Sequence, residues 1–206
     1  MKIGILGMQG DIEEHEATLR SMHVTPLRVK TLEHLSQVQG LIIPGGESTT
    51  MIRLLNLNGL TQHLVNWIVQ NDIPVFGTCA GMILMSKKIV NYPHQPTLGL
   101  MDIEVERNAF GRQVDSFEIF LDVKGIEGPQ VPARFIRAPV ITSLAPDVQV
   151  LSEYEGQVVM ARQGNLLACS FHPELLNETR IHRFFVRELV EPRLRDPGLV
   201  QTIPRE

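Results

Sequence analysis

The stretch Pro74-Val75-Phe76-Gly77-Thr78-Cys79-Ala80-Gly81-Met82-Ile83-Leu84 constrains the fold more than any other part of this chain. It reads as a short buried strand, a sharp turn and the opening of a helix. The turn sets one cysteine between two glycines, the pattern of a nucleophile elbow with Cys in place of Ser. Such an elbow holds the nucleophile above the end of a sheet in a strained, fixed pose, and its small neighbours let the backbone close. The helix that follows aims free N–H groups and its positive end at the sulfur. The N–H of Ala80 is then placed to stabilise an oxyanion. Alone, the pattern also fits a cysteine packed in a tight turn, because free cysteine is among the most buried residue types.

A second segment favours chemistry. Leu166-Leu167-Ala168-Cys169-Ser170-Phe171 reads as an apolar strand that runs into His172-Pro173-Glu174. Residues two apart on an extended segment point to one side. Glu174 therefore stands beside His172 to hold its imidazole while His172 faces Cys79. Nucleophile, base and orienting carboxylate are then all present. Cys169 lies within the apolar run and reads as core, as do Met82 and Met85.

The rest of the chain alternates strand and helix. Residues 2–7 form an apolar first strand, buried on both faces as in a parallel sheet. Gln9-Gly10-Asp11 makes the turn, with Asp11 as N-cap and Glu14 three residues on completing a capping box. A helix follows to about residue 22. Pro26 places the strand 24–29 at a sheet edge. Residues 41–43 form a third strand that ends in Pro44-Gly45-Gly46, and residues 49–57 and 60–69 show helical periodicity. This order predicts an α/β fold, a doubly wound, mostly parallel sheet flanked by helices, flavodoxin-like in form. Sites in such sheets form at the carboxyl ends of strands, where Gln9, Gly46, Cys79 and His172 all fall. Residues 101–171 change character. Strand-like runs at 103–106, 117–123, 131–136, 148–151 and 158–161 predict a β-rich extension. A last helix is expected over 178–189. Residues 1–190 thus read as one domain, and 191–206, with Pro192, Pro197 and Pro204 and no apolar period, as a mobile tail.

Composition excludes several classes. The chain has 206 residues, 43% hydrophobic and 20% charged, as expected of one globular domain. A net charge of −4 gives no basic footprint for nucleic acid. Two cysteines are too few for a disulfide framework and suit a reducing, cytoplasmic setting. The apolar run after Lys2 is too short and too glycine-rich for a signal peptide or a membrane span. His15, His23, His34, His63, His94 and His182 show no metal-ligand spacing and read as structural or exposed, so no metal site is expected. Gly45-Gly46-Glu47-Ser48 lacks the lysine of a P-loop and reads as a strand-to-helix turn capped by Ser48.

Gly-Thr-Cys-Ala-Gly followed by His-Pro-Glu resembles the class I, or triad, glutamine amidotransferases. Within them the chain is most similar to the glutaminase subunits of pyridoxal 5′-phosphate synthases. The matching pieces are Met8-Gln9-Gly10-Asp11, Pro44-Gly45-Gly46-Glu47-Ser48-Thr49-Thr50, the cysteine elbow, Arg107-Asn108-Ala109-Phe110-Gly111-Arg112-Gln113, Phe135-Ile136-Arg137-Ala138-Pro139 and His172-Pro173-Glu174. The resemblance implies hydrolysis of L-glutamine to L-glutamate and ammonia by Cys79, His172 and Glu174. It implies Gly46 and Ala80 as oxyanion donors, and Gly46, Glu47, Ser48, Arg107, Ile136 and Arg137 as the glutamine site. It also implies a partner synthase subunit that takes the ammonia to build pyridoxal phosphate, with no cofactor on this chain. Gln9 and Gly10 stand where a docked partner could bias the Gly46 turn. The alternatives are the glutaminase of histidine biosynthesis, against which the Arg107 and Arg137 motifs speak, and a non-catalytic flavodoxin-like binding module in which Cys79 is inert.

Overall fold

The computed structural model describes residues 1–110 and 116–195. Gly111, Arg112 and Gln113 of the Arg107 motif lie outside the described residues, as do residues 196–206 of the expected tail. The first half runs β1 (Lys2–Leu6), α1 (Ile12–Ser21), β2 (Thr25–Val29), α2 (Leu32–Leu35), β3 (Gly40–Ile43), α3 (Ser48–Leu57), α4 (Leu60–Gln70), β4 (Val75–Thr78) and α5 (Ala80–Met85). The second half is β-rich, with β5 (Ser86–Ile89), β6 (Met101–Glu106), β7 (Ser116–Leu121), β8 (Val131–Ile136), β9 (Val140–Leu144), β10 (Gln149–Tyr154), β11 (Gln157–Gln163) and β12 (Leu166–Cys169). A helix then opens as α6 (Arg180–Phe184), widens into a π-turn over Phe185–Val190 and ends as α7 (Glu191–Leu194).

The main sheet has the order β2-β1-β3-β4-β12-β11-β9-β6-β5, with β10 on β11; β7 and β8 form a separate hairpin. Strands β1 to β4 and β12 are parallel to one another, whereas β9, β10 and β11 pair antiparallel. The expected doubly wound α/β core with a β-rich extension is what forms, and β2 does lie at the edge. Two short strands of the second half, β5 and β9, and the short α2 carry no sequence signal strong enough to be read. Each is four or five residues long, less than one clear period.

The core shows why the central strands read as unbroken apolar runs. Alternate residues of one strand enter opposite cores. On β3, Leu41 and Ile43 join the cluster under α3, α4 and α5, while Ile42 joins the one under α1 and α6. On β4, Val75 and Phe76 divide the same way, and on β12 Ala168 opposes Leu167 and Cys169. Helices on both faces thus leave no strand face for water. No helix among the described residues is long and apolar enough to cross a membrane.

Three local expectations are corrected. Asp11 stands at the start of α1 but makes no side-chain cap bond, so the capping box with Glu14 does not form. At α3 the cap is Glu47, whose carboxylate accepts the Thr49 N–H, and Ser48 is the first helical residue. The last helix does not stop at residue 189 but continues to Leu194, because Pro192 enters its final turn near the N-terminus of a helical segment, where no N–H is required. Arg193 of that turn ion-pairs with Asp72 and donates to the Asn71 carbonyl (2.8 Å), tying residues 191–194 to the end of α4.

Candidate active site

The elbow forms as its sequence demands. Cys79 has φ 46° and ψ −99°, a left-handed backbone that a non-glycine residue adopts only under constraint. The constraint is visible. The Cys79 N–H donates to the Cys169 carbonyl (2.8 Å), and the Cys79 carbonyl accepts the Ile83 N–H (3.2 Å). The flanking glycines are required by close approach. A Cβ on Gly81 would lie 2.0 Å from the Ile43 carbonyl oxygen, and one on Gly77 would lie 2.7 Å from the Gly81 carbonyl carbon. Ala80 opens α5, so its N–H has no intrahelical acceptor.

His172 follows β12, the parallel neighbour of β4 in register Cys169↔Thr78. Its backbone N–H donates to the Arg134 carbonyl (2.8 Å). The segment after it is not extended. Pro173–Leu175 is a single 3₁₀ turn, and this turn, rather than strand alternation, carries Glu174 back beside the imidazole. Proline at its first position favours the turn because its φ is already set. His172 Nδ1 lies 2.8 Å from Glu174 Oε1, and both residues are buried. Cys79 also hydrogen-bonds His172. With Nδ1 engaged by the carboxylate, Nε2 is the nitrogen left for the sulfur. The thiol further approaches the Ile136 carbonyl at 3.9 Å.

A second carboxylate was not foreseen. Asp11 Oδ2 lies 3.2 Å from the same His172 Nδ1. This contact is where the missing cap bond of Asp11 went. A Cβ on Gly45 would sit 2.3 Å from His172 Cε1 and 2.7 Å from Asp11 Oδ2, so only glycine there lets the two side chains meet. Burial alone would lower the His172 pKa. Hydrogen bonds to Asp11, Cys79 and Glu174 outweigh it and push the imidazole up to about 12. Glu174 is raised by its burial, with the His172 hydrogen bond pulling the other way. Asp11, His172 and Glu174 bring three donor atoms within 4.8 Å of one another. Both carboxylates meet one imidazole nitrogen at hydrogen-bond distance. That is the geometry of a protonated Nδ1 held by acceptors.

The turns after β1 and β3 interlock beside the elbow. The Asp11 N–H donates to the Gly45 carbonyl (3.1 Å), and the Glu47 N–H donates to Gln9 Oε1 (2.8 Å). Gly10, at φ 114°, leaves 1.8 Å between its missing Cβ and the Gly45 oxygen. In a trans peptide N–H and C=O point opposite ways. The bond from Asp11 therefore turns the Gly46 N–H away from Asp11.

These elements enclose a cavity of about 300 Å³ lined by Gly46, Glu47, Ser48, Cys79, Arg107, Ile136, Arg137 and His172, with Gln9 and Asp11 at its wall. Ala80 and Glu174 lie behind that lining. Larger hollows of about 540 and 580 Å³ elsewhere hold neither cysteine. Arg107 is fixed on several sides: Nη2 donates to Glu47 Oε1 (3.0 Å), Nη1 to Gln95 Oε1 (2.6 Å), and its guanidinium stacks on Tyr92 at 4.5 Å. Gln95 in turn donates to Ser48 Oγ (2.9 Å). Arg137 is exposed, and among the described residues no carboxylate pairs with it. Gln95, Tyr92 and Asp11 were missed because their roles arise only from tertiary contact.

Cys169 is the contrast. It is fully buried, and burial, then the charges of Glu174 and Cys79, push its thiol well above the ordinary range. It is core, as expected. Of the remaining histidines, His23, His63 and His94 are exposed and His34 is half-buried, while His15 and His182 are wholly buried.

Residues 5–191 match the SNO glutamine amidotransferase family. The chain is 53% identical over 186 residues to the pyridoxal 5′-phosphate synthase subunit PdxT of Pseudothermotoga lettingae, covering 90% of this chain and 94% of that one. It is 52% identical over 189 residues to the subunit of the same name from Carboxydothermus hydrogenoformans, covering 92% and 98%. A crystal structure described as a glutamine amidotransferase superposes with a TM-score of 0.86 at 44% identity, over 91% of this chain and 98% of that one.

Two outcomes are expected at this site. An electrophilic glutamine analogue labels Cys79 and not Cys169, read by peptide mapping; labelling of Cys169 first would contradict the geometry. Asp11→Asn removes an anion from beside an imidazolium and so lowers the His172 pKa. Its kcat/KM profile gains an alkaline fall at a pH where the parent shows none, and superimposable profiles would show that Asp11 does not act on His172.

Proposed function

Because the chain belongs to the SNO glutamine amidotransferase family, we propose that it is the glutaminase subunit of a pyridoxal 5′-phosphate synthase, acting as one domain over residues 1–190. The observation that carries this reading is the strained Cys79 beside a His172 whose Nδ1 is held by Glu174 at 2.8 Å. Glutamine enters the cavity with its side-chain amide toward the sulfur. With the proton already on His172 Nε2, the Cys79 sulfur attacks the amide carbon. The N–H groups of Gly46 and Ala80 receive the oxyanion. Collapse of the tetrahedral adduct breaks the C–N bond, and His172 returns the proton to the departing ammonia. Water, with His172 as base, then cleaves the thioester to release glutamate and regenerate the thiol.

Glutamine is a zwitterion, and the cavity offers both signs. Arg137 and Arg107 suit the α-carboxylate, Glu47 suits the α-ammonium group, and Ser48 and the Ile136 carbonyl border the remainder. No step requires a metal or cofactor. The ammonia passes to the partner synthase subunit, where it must arrive unprotonated to react. That need motivates a switch: the isolated chain is a slow glutaminase, and docking of the partner activates it. The Gly46 turn is the moving part, because two adjacent glycines let a peptide flip at small steric cost. Gln9 and Gly10 already grip that turn through Glu47 and Gly45. Both cysteines are free, which suits the cytoplasm.

The test is the steady-state release of ammonia from glutamine with increasing amounts of purified synthase subunit. Activity rises with the partner, and Gln9→Ala blunts the rise. Cys79→Ser abolishes turnover in both conditions without loss of folding. Glu174→Gln lowers kcat by roughly a hundredfold, on the order of 3 kcal/mol of transition-state stabilisation. A full rate without partner would remove the switch, and residual activity in Cys79→Ser within severalfold of the parent would remove the triad.

A further inference from the structure

Two buried histidines stand behind the triad, and the chemistry above does not use them. His15 comes from the inner face of α1 and His182 from α6, and both have no exposed surface. Their rings meet with His15 Nδ1 2.9 Å from His182 Nε2. The other nitrogen of His15, Nε2, lies 3.3 Å from Thr78 Oγ1 and 3.7 Å from Glu174 Oε1. The other nitrogen of His182, Nδ1, is buried with no partner among the described residues. The pair therefore joins the residue before the nucleophile to the carboxylate that orients the base.

Both rings are neutral. Burial, reinforced by the neighbouring His182 and His172, holds His15 well below its ordinary value. Burial takes His182 down to about 3, against an opposing pull from Glu178. Two neutral imidazoles meeting nitrogen to nitrogen share one proton, which leaves two arrangements. If His15 donates from Nδ1, His182 must carry its proton on the partnerless Nδ1, a buried N–H with no acceptor. His15 would also turn a bare Nε2 lone pair toward the carboxylate oxygen. If His182 donates from Nε2, its Nδ1 is only an unused acceptor, and His15 carries its proton on Nε2. The second arrangement avoids both an orphan donor and a lone-pair repulsion.

In that arrangement the Nε2–H bonds Thr78 Oγ1 at 3.3 Å and points its dipole at Glu174 Oε1, 3.7 Å away and beyond hydrogen-bond distance. Glu174 Oε2 has no partner among the described residues, and burial of Glu174 favours the neutral acid. The groups facing it are His172 on its own turn, Asp11 from the loop after β1, Cys169 from the end of β12, and His15 from α1. The Asp11 carboxylate repels its charge. Beyond its own segment, His15 is the one N–H in this set. We infer that His15, locked in its Nε2–H tautomer by His182, is a positioning residue that holds Glu174 ionised and aligned beneath His172. This rests on the triad reading given above.

The tautomer is tested first on the unaltered chain. Nitrogen-15 NMR of its histidine rings should find His15 protonated at Nε2 and bare at Nδ1; the reverse overturns the inference. Kinetics with the synthase subunit then compare His15→Gln, His15→Leu and His182→Leu, each rate normalised to sites titrated with an electrophilic glutamine analogue. Both leucine variants should lose about tenfold in kcat with KM little changed. The acid limb of kcat/KM should move up by about one pH unit as Glu174 takes a proton more readily. His15→Gln keeps a side-chain N–H near the Nε2 position and should restore most of both. Lower melting temperatures with unchanged kcat and pH profile per titrated site would make the pair mere core packing and overturn the inference. Should the leucine variants fail to fold, the parent's tautomer and the His15→Gln profile decide. Should the parent not hydrolyse glutamine at all, the proposed function fails. The tautomer, and the pH dependence of Cys79 alkylation in His182→Leu, still judge His15.

Discussion

The parallel pairing of β4 with β12 is the contact on which the site depends. Its register sets Thr78 against Cys169, so the elbow and the turn bearing His172 leave the sheet side by side. Neighbouring strands are about 4.8 Å apart, which is the separation a thiol and an imidazole need in order to meet. The same pairing strains the nucleophile, because the Cys79 N–H is tied to the Cys169 carbonyl while the chain must already turn into α5. A slip of one residue would exchange the faces of β12 and bring Cys169 out of one core and Ala168 into it. The division of Leu167 and Cys169 from Ala168 between the two cores opposes that slip.

Charge within the site is held by hydrogen bonds more than by solvent. Cys79, His172 and Glu174 are each less than a tenth exposed. An isolated ion there would be costly, and the low dielectric strengthens any pair that does form. The arrangement is a graded series: an exposed mouth with Arg137, a half-exposed Asp11, the buried His172 and Glu174, and then two neutral histidines with no water contact at all. Each step inward replaces hydration by a directed N–H. This makes the orienting carboxylate the most vulnerable member, since one of its oxygens has no partner.

Much of this was legible in the sequence, and the reasons differ by element. The parallel core was readable because strands buried on both faces, such as Ile42 and its neighbours, leave an unbroken apolar run that only helix-covered sheets tolerate. Cys79 was readable because glycines at 77 and 81 mark a backbone crowded against itself. The pairing of His172 with Glu174 was found by a wrong local argument. The spacing of two was right, but a 3₁₀ turn and not an extended strand brings them together. Asp11 was misread for a related reason. Its place before α1 fits a cap, and only the fold shows that His172 offers it a stronger, charged partner across the sheet. His15 and His182 lie far apart in sequence, and no spacing rule could have joined them.

The sheet order divides the labour of the site. Strands β1, β3, β4 and β12 are consecutive neighbours. Their carboxyl ends supply, in turn, Gln9 and Asp11, Gly46, Cys79 and His172. In the proposed chemistry, the groups that act on the reacting bond thus come from one rigid row of strand ends, where position is set by backbone pairing. Arg107 follows β6 and Arg137 follows β8, so the groups suited to the α-carboxylate of glutamine come from the β-rich extension, whereas Glu47, suited to the α-ammonium group, comes with the turn after β3. The two sets meet at the bond from the His172 N–H to the Arg134 carbonyl, at the Ile136 carbonyl over the thiol, at Arg107 on Glu47 and Thr49, and at the Gln95 bridge to Ser48. A small shift of the extension would therefore alter the grip on the amino-acid end of the substrate and also pull on His172 through the Arg134 carbonyl. A shift of the turns after β1 and β3 would act on the Gly46 turn and the imidazole together, because Gln9 and Asp11 hold them from the same short loop.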